Sequence, residues 1–302
     1  MKALNNILEM VVITVNKISE AFQLFDSQNT RGRALYPHDL LKAYHLREIY
    51  DKYEMQHAVT KWESKDPQTI RELFDHYLFP LWNWAKCRKC GTFTIADIDI
   101  YKGIEENTGY TYARRANKAM PYFLLTEPFI SGSDFFEMVD HYMQMLHNIK
   151  EEIITNPNFD KIRQMLTDGK DASTVEAFDK ACKSSSTGLN YARNLFFCAL
   201  LCYYYDRFHN FDVMAVTKLF TWAMMIRVDM NHLGFDTINR YAIGRNDFDK
   251  YSNAKPVIAM IAYARRHTEI AGMRLTLSMD DRANDEWKEL YSNLCILNGH
   301  NI

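Results

Sequence analysis

The sequence is short of several things at once. It has six cysteines in 302 residues, seven prolines and 11 glycines, and its formal charge is only -2. Six scattered thiols make no disulfide framework, so the expected setting is a reducing one and the expected location the cytoplasm. The near balance of charge argues against a general electrostatic grip on nucleic acid, while leaving room for a local basic patch. No long apolar run is present: the best, Leu195 to Tyr205, falls short of the roughly 20 residues a membrane helix needs, so no membrane partner is expected. The first residues, with Asn5, Asn6 and Glu9, lack the apolar core of a signal peptide.

What the chain does have is helical spacing. With 47% hydrophobic and 25% charged residues it can bury a sizeable core without disulfide or metal, and no cofactor is expected for folding. Residues 9–15, "EMVVITV", read as a short β-strand. Beyond Ser19 the pattern is that of helices. Pro37 suits a first helical turn, with Asp39 placed to favour its N-terminus, and the pattern predicts one long amphipathic helix through Trp62. Asp66-Pro67 opens another, which Pro80 should bend or end. Thr94 stands where it can cap a helix. Further helices are predicted over 132–156, 189–207, 212–230, 254–275 and 285–297, with a looser stretch at 167–188. The expected fold is mainly α, a multi-helix bundle with a short N-terminal β-strand remnant. It divides into a segment 1–46, a helical subdomain 47–166 and a second helical subdomain 167–302.

Candidate chemistry is sparse. Cys87 and Cys90 have zinc-ligand spacing, but a structural zinc site needs four ligands and no second pair follows. The expectation is no metal, with two thiols at a helix end among basic residues. Cys198 and Cys202, four apart in an apolar helix, read as core. Arg227 and His232 are separated by four residues, the spacing of HEPN-type ribonucleases, in which histidine does acid–base work and arginine steadies the phosphate. The bland alternative is a cation at a helix C-terminus. The pairs Arg114-Arg115 and Arg265-Arg266 can touch phosphates or simply face water. The richest constellation is Phe25 to Lys42. Here Asn29 can order a turn, Gly32 can let a ligand approach the backbone, and Arg31 and Arg33 bring cations near a helix N-terminus. A ligand-free helix–loop–helix corner explains the same residues.

That constellation, "AFQLFDSQNTRGRALYPHDLLKAYHL", closely resembles the FxxxNxxGxxL segment of GmrS-type domains, the nucleotide-using modules of GmrSD modification-dependent restriction systems (domain-of-unknown-function family 262). Phe25, Asn29, Gly32 and Leu35 match the pattern, and Asp39, Leu40 and Lys42 match the helix after it. Pro121–Phe136 and Lys218–Gly244 are also similar to that family's helical part. The resemblance implies that residues 1–46 end a ParB/sulfiredoxin-like nucleotide-binding domain. Asn29, Arg31, Gly32, Arg33, Asp39 and Lys42 would then form one wall of a nucleotide site, with NTP and Mg2+ held by the complete parent protein. The family's upstream Asp-Gly-Gln-Gln-Arg motif and its downstream His–Asn–His nuclease array are not in this sequence. The chain is therefore expected to be the helical portion of a GmrSD-like defence protein, without catalysis alone. A missing N-terminal domain or partner chain would complete it, and DNA would be reached through the parent system. Two other expectations stand beside this one: a HEPN-like ribonuclease using Arg227 and His232, and a helical interaction module drawing on the 14% aromatic content.

Overall fold

A computed structural model describes residues 35–104, 129–230, 232–245, 252–279 and 285–300. Among these the fold is mainly α, with no strand and a single parallel bridge between Ile104 and Ile130. The strand expected at 9–15 lies outside the described residues.

Helix α1 runs Pro37–Arg47, with proline in its first turn and the Tyr36 N–H donating to Asp39 Oδ2 at 3.3 Å. The single long helix expected from Pro37 to Trp62 is instead two. Asp51 Oδ1 accepts from the N–H groups of Tyr53 and Glu54, both at 2.9 Å, and so starts α2, Lys52–Glu63, afresh. Between the two, Ile49 turns into the core.

Asp66 caps α3 through the Thr69 N–H at 2.9 Å, with Pro67 in the first turn (Pro67–Glu72). Pro80 neither ends this helix nor breaks it. The chain widens into a π-helical turn, Leu73–Leu78, and continues through Phe79–Ala85. Pro80 has no N–H to give the carbonyl of His76, four residues back. That oxygen accepts instead from the Cys198 thiol, 3.2 Å away. Thr94 caps as expected, its N–H on Asp97 Oδ2 at 3.0 Å, but the element it starts is a 3-10 helix, Ile95–Tyr101.

Gly132, at φ 105° where a side chain would be strained, precedes α4, Ser133–Thr155. Phe135, Val139, Tyr142, Leu146, Ile149 and Ile153 make its buried stripe. The loose stretch holds more structure than its composition suggested. Helix α5 is Asp160–Thr167 and α6 is Val175–Cys182, which Thr174 caps. Arg193 secures both: one guanidinium nitrogen donates to Cys182 O at 2.6 Å, another to Asp168 Oδ1 at 2.7 Å.

Helix α7, Thr187–Leu201, carries Arg193 and widens into a second π segment, Cys202–Phe208. Helix α8, Val213–Asp229, is central to the packing, and from Ala215 to Val228 every side chain but the half-buried Lys218 is buried. Around it pack α7, α9 (Phe235–Ala242), α11 (His267–Ala271) and α12 (Asp285–Leu297), while α10 (Val257–Tyr263) lies on the second π segment. The helix expected over 254–275 is thus α10 and α11, broken at Ala264. Arg207 donates to the Ala264 carbonyl from Nε and Nη2 at 2.8 and 2.7 Å, taking the oxygen a continuous helix would use. Buried side chains from Leu41 to Leu294 join one hydrophobic cluster.

One buried histidine ties the first helices to α4. The Gly132 N–H donates to His45 Nδ1 at 3.1 Å, which leaves the ring proton on Nε2 to donate to Tyr101 O at 2.8 Å. Phe135 stacks on the ring at 4.1 Å between centroids. Burial pushes the imidazole down to about 3, outweighing the upward pull of the bond to Tyr101 O. The folded form therefore resists protonation that the unfolded chain accepts near pH 6.5. Stability from this group is complete above that pH and falls as pH drops towards 3. Denaturant melts at about pH 4 and pH 6 should differ by up to ~1.4 kcal/mol per pH unit from His45 alone. In His45→Phe that slope should shrink. The variant should also be weaker at neutral pH by about 1–3 kcal/mol for each backbone group left unpaired.

Candidate anion-binding site

The end of α8 and the starts of α7 and α9 meet around a cavity of about 400 Å3, lined by Ser186, Thr187, Gly188, Arg227, His232, Leu233 and Gly234. Each contribution has a local cause. Ser186 is the N-cap of α7, its hydroxyl accepting from the Leu189 N–H at 3.4 Å, so Thr187 and Gly188 form the open first turn. Gly234 is the N-cap of α9 and has no side chain to occupy that helix's first amides. Two helix N-termini with unused N–H groups therefore open on one space, and each carries partial positive charge.

Arg227 brings a full charge. It is only 6% exposed, its guanidinium lying 3.7 Å from the centroid of the Trp287 ring, with Nη1 donating to Met230 O at 2.6 Å. That bond closes the C-terminal end of α8. His232 is exposed on the loop beyond it. Among the described residues, no carboxylate lines the cavity. Asp229 has one oxygen without a hydrogen-bond partner, and burial pushes its carboxyl up to about 7, but it is not among the lining residues. A buried guanidinium and two helix N-termini at one cavity suit a small anion such as a phosphate group.

Gly188 makes the arrangement possible. A Cβ there would sit 2.9 Å from Leu233 Cβ and 3.5 Å from Arg227 Nη1, so only glycine lets α7 approach this closely.

The structure brings Arg227 and His232 to one cavity, as their spacing required for a shared site. It treats the other candidates differently. Asn29, Arg31, Gly32 and Arg33 lie outside the described residues. Asp39 is spent on the Tyr36 N–H and lies 3.9 Å from His38 Nε2. Lys42 is paired with Glu63 and lies 6.0 Å from the Trp62 ring centroid. Cys87 is exposed at φ 53°, while Cys90 is buried with its thiol 3.2 Å from Asn239 Oδ1 and pushed up to about 12 by burial. The same Asn239 accepts from Trp84 Nε1 at 2.8 Å and donates to Cys90 O at 2.9 Å, so the loop is fastened to α9 by an amide. Among the described residues, no group of three or more His, Cys, Asp or Glu side chains is placed to hold a metal. Arg265 and Arg266 are exposed, and their N–H groups both donate to Glu269 at 3.0 Å. Arg114 and Arg115 lie outside the described residues.

Sequence reasoning missed Ser186, Thr187, Gly188 and Gly234. The signal was present in "SSSTG" before an apolar run, a capping sequence, but nothing local joins it to residues 227–234. Gly188→Ala adds a better helix former, worth up to about 1 kcal/mol. The clash with Leu233 should outweigh it, leaving a net loss of about 1–2 kcal/mol in a denaturant melt. A variant as stable as the parent would show that the close approach is not tight.

No curated protein and no solved structure matches the chain. A family model does, over residues 54–289, a span that takes in Gly188, Arg227, His232 and Trp287. Since the match covers well over half of the 302 residues, the chain belongs to that family, a family of unknown function (DUF7834).

Proposed function

We propose that this chain is the helical part of a GmrSD-like defence protein, and that by itself it binds the phosphate of a nucleotide without turning it over. The observation that carries the binding half is the cavity where Arg227, His232 and the first turns of α7 and α9 converge. The resemblance supplies the context: Lys218–Gly244, the later stretch similar to the GmrS-type helical part, contains Arg227, His232 and Gly234. The wall formed by Asn29, Arg31, Gly32 and Arg33 is a second contact to the same class of ligand in this reading, completed by an upstream domain or partner chain, with Mg2+ as counter-ion. Asp39 and Lys42 serve that wall indirectly, since both already hold structural partners. The reading of no turnover rests on motifs: the family's Asp-Gly-Gln-Gln-Arg stretch and His–Asn–His array are not in this sequence.

A second reading has its own support. Arg227 and His232 share the cavity, and an exposed histidine beside a fixed guanidinium is the minimal set for acid–base cleavage of RNA. Calorimetric titration with GTP, UTP and ATP in magnesium separates the two. The expected result is micromolar binding of at least one nucleotide, weakened about tenfold by His232→Ala, or ~1.4 kcal/mol, with no release of inorganic phosphate. No binding of any of the three contradicts the proposal. Cleavage of single-stranded RNA that disappears in His232→Ala would establish the ribonuclease reading in its place.

A further inference from the structure

We infer that Trp287, on the C-terminal helix α12, is the positioning residue of this anion site, and that ligand binding is thereby coupled to the docking of α12. The inference rests on the anion-site reading above. Its starting point is how an arginine is held. The side chain has four rotatable bonds and a planar head, so a site that needs its charge in one place must fix the plane as well as the position. Here the plane is fixed from outside the cavity. The Arg227 guanidinium carbon stands 3.7 Å from the Trp287 ring centroid, a face-on stack, and the indole is itself 95% buried. Stacking uses the face of the guanidinium and leaves its N–H groups radiating from the edge. One edge nitrogen, Nη1, caps Met230 O and points towards the first turn of α7, where a Cβ on Gly188 would be 3.5 Å away. The indole thus sets the direction from which the cation meets a ligand, although Trp287 does not line the cavity.

Helix α12 is well anchored for this task. Leu294 is fully buried, and the residue after the helix, Asn298, donates to Thr221 Oγ1 at 2.8 Å and accepts from Lys218 Nζ at 3.0 Å, both on α8. Arg227 and Trp287 lie 60 positions apart, so the stack exists only when α12 is docked. A ligand that prefers the stacked arginine must then favour the docked helix, and by reciprocity a docked helix must favour the ligand.

The test uses inorganic pyrophosphate, titrated calorimetrically into the full chain and into Trp287→Phe and Trp287→Leu. Phenylalanine keeps an aromatic face and leucine keeps bulk without one. The prediction is binding at least about tenfold weaker in the leucine variant and within about threefold of the parent in the phenylalanine variant. A merely structural tryptophan would move the melting temperature in both and the affinity in neither. Amide exchange in the parent gives the second arm, independent of whether either variant folds. Exchange across 288–297 should slow in saturating pyrophosphate. Leucine-variant affinity equal to the parent's, or exchange in α12 indifferent to pyrophosphate, would overturn the positioning role while leaving the site intact. A parent that does not bind pyrophosphate would overturn the site and this inference together.

Discussion

The enclosure of α8 is the constraint on which the rest depends. A helix buried over nearly its whole surface leaves little room for an unpaired polar group, so polar side chains along it are driven to find partners inside the protein. Thr221 does so twice, donating to Thr217 O at 2.8 Å and accepting from Asn298 at the same distance. Arg227 is the extreme case, a charge near the end of an apolar helix with 6% of its surface exposed. It is tolerable there because the indole of Trp287 covers its face, Met230 O accepts a hydrogen bond from it, and the side chain borders a cavity instead of solid core. The same three features that make the arginine affordable also aim it.

The neighbouring elements are arranged around that fact. Helix α7 must come close enough to border the cavity, and Gly188 permits it. Helix α9 must start nearby without a capping side chain, and Gly234 permits that. Asn239, on α9, then fastens the helix to the 87–90 loop through Trp84 and Cys90. Among the first helices His45 plays a comparable part, a buried ring with both nitrogens used and no charge to place. Polar groups in this protein fix where helices begin and end, and the apolar cluster fixes how they stack.

Much of the fold was legible in the sequence because much of it is decided within four residues. Pro37, Asp66-Pro67, Thr94 and Gly132 mark their starts through capping and backbone freedom alone. The errors came where distant residues decide. Asp51 on a polar helix face and Asp51 as an N-cap have the same spacing, and the choice turns on whether Ile49 is wanted in the core. Ala264 ends α10 because Arg207, 57 residues earlier, claims its carbonyl. The π turn before Pro80 depends on a thiol 122 residues away. The site divides in the same way. The spacing of Arg227 and His232 is local and was visible, whereas the start of α7 and the indole that complete the arrangement come from 40 residues before and 60 after. Only the fold reveals that they meet.

The central claim, an anion held between the starts of α7 and α9, is tested most directly by following backbone amides during a phosphate titration. Two-dimensional 1H–15N NMR of the chain with increasing inorganic phosphate, at constant ionic strength, reads each amide separately. The account predicts saturable shifts confined to Thr187, Gly188, Gly234 and Phe235, with the Arg227 side-chain resonance moving in step. Shifts scattered over exposed lysines and arginines, with these four amides unmoved, would contradict it.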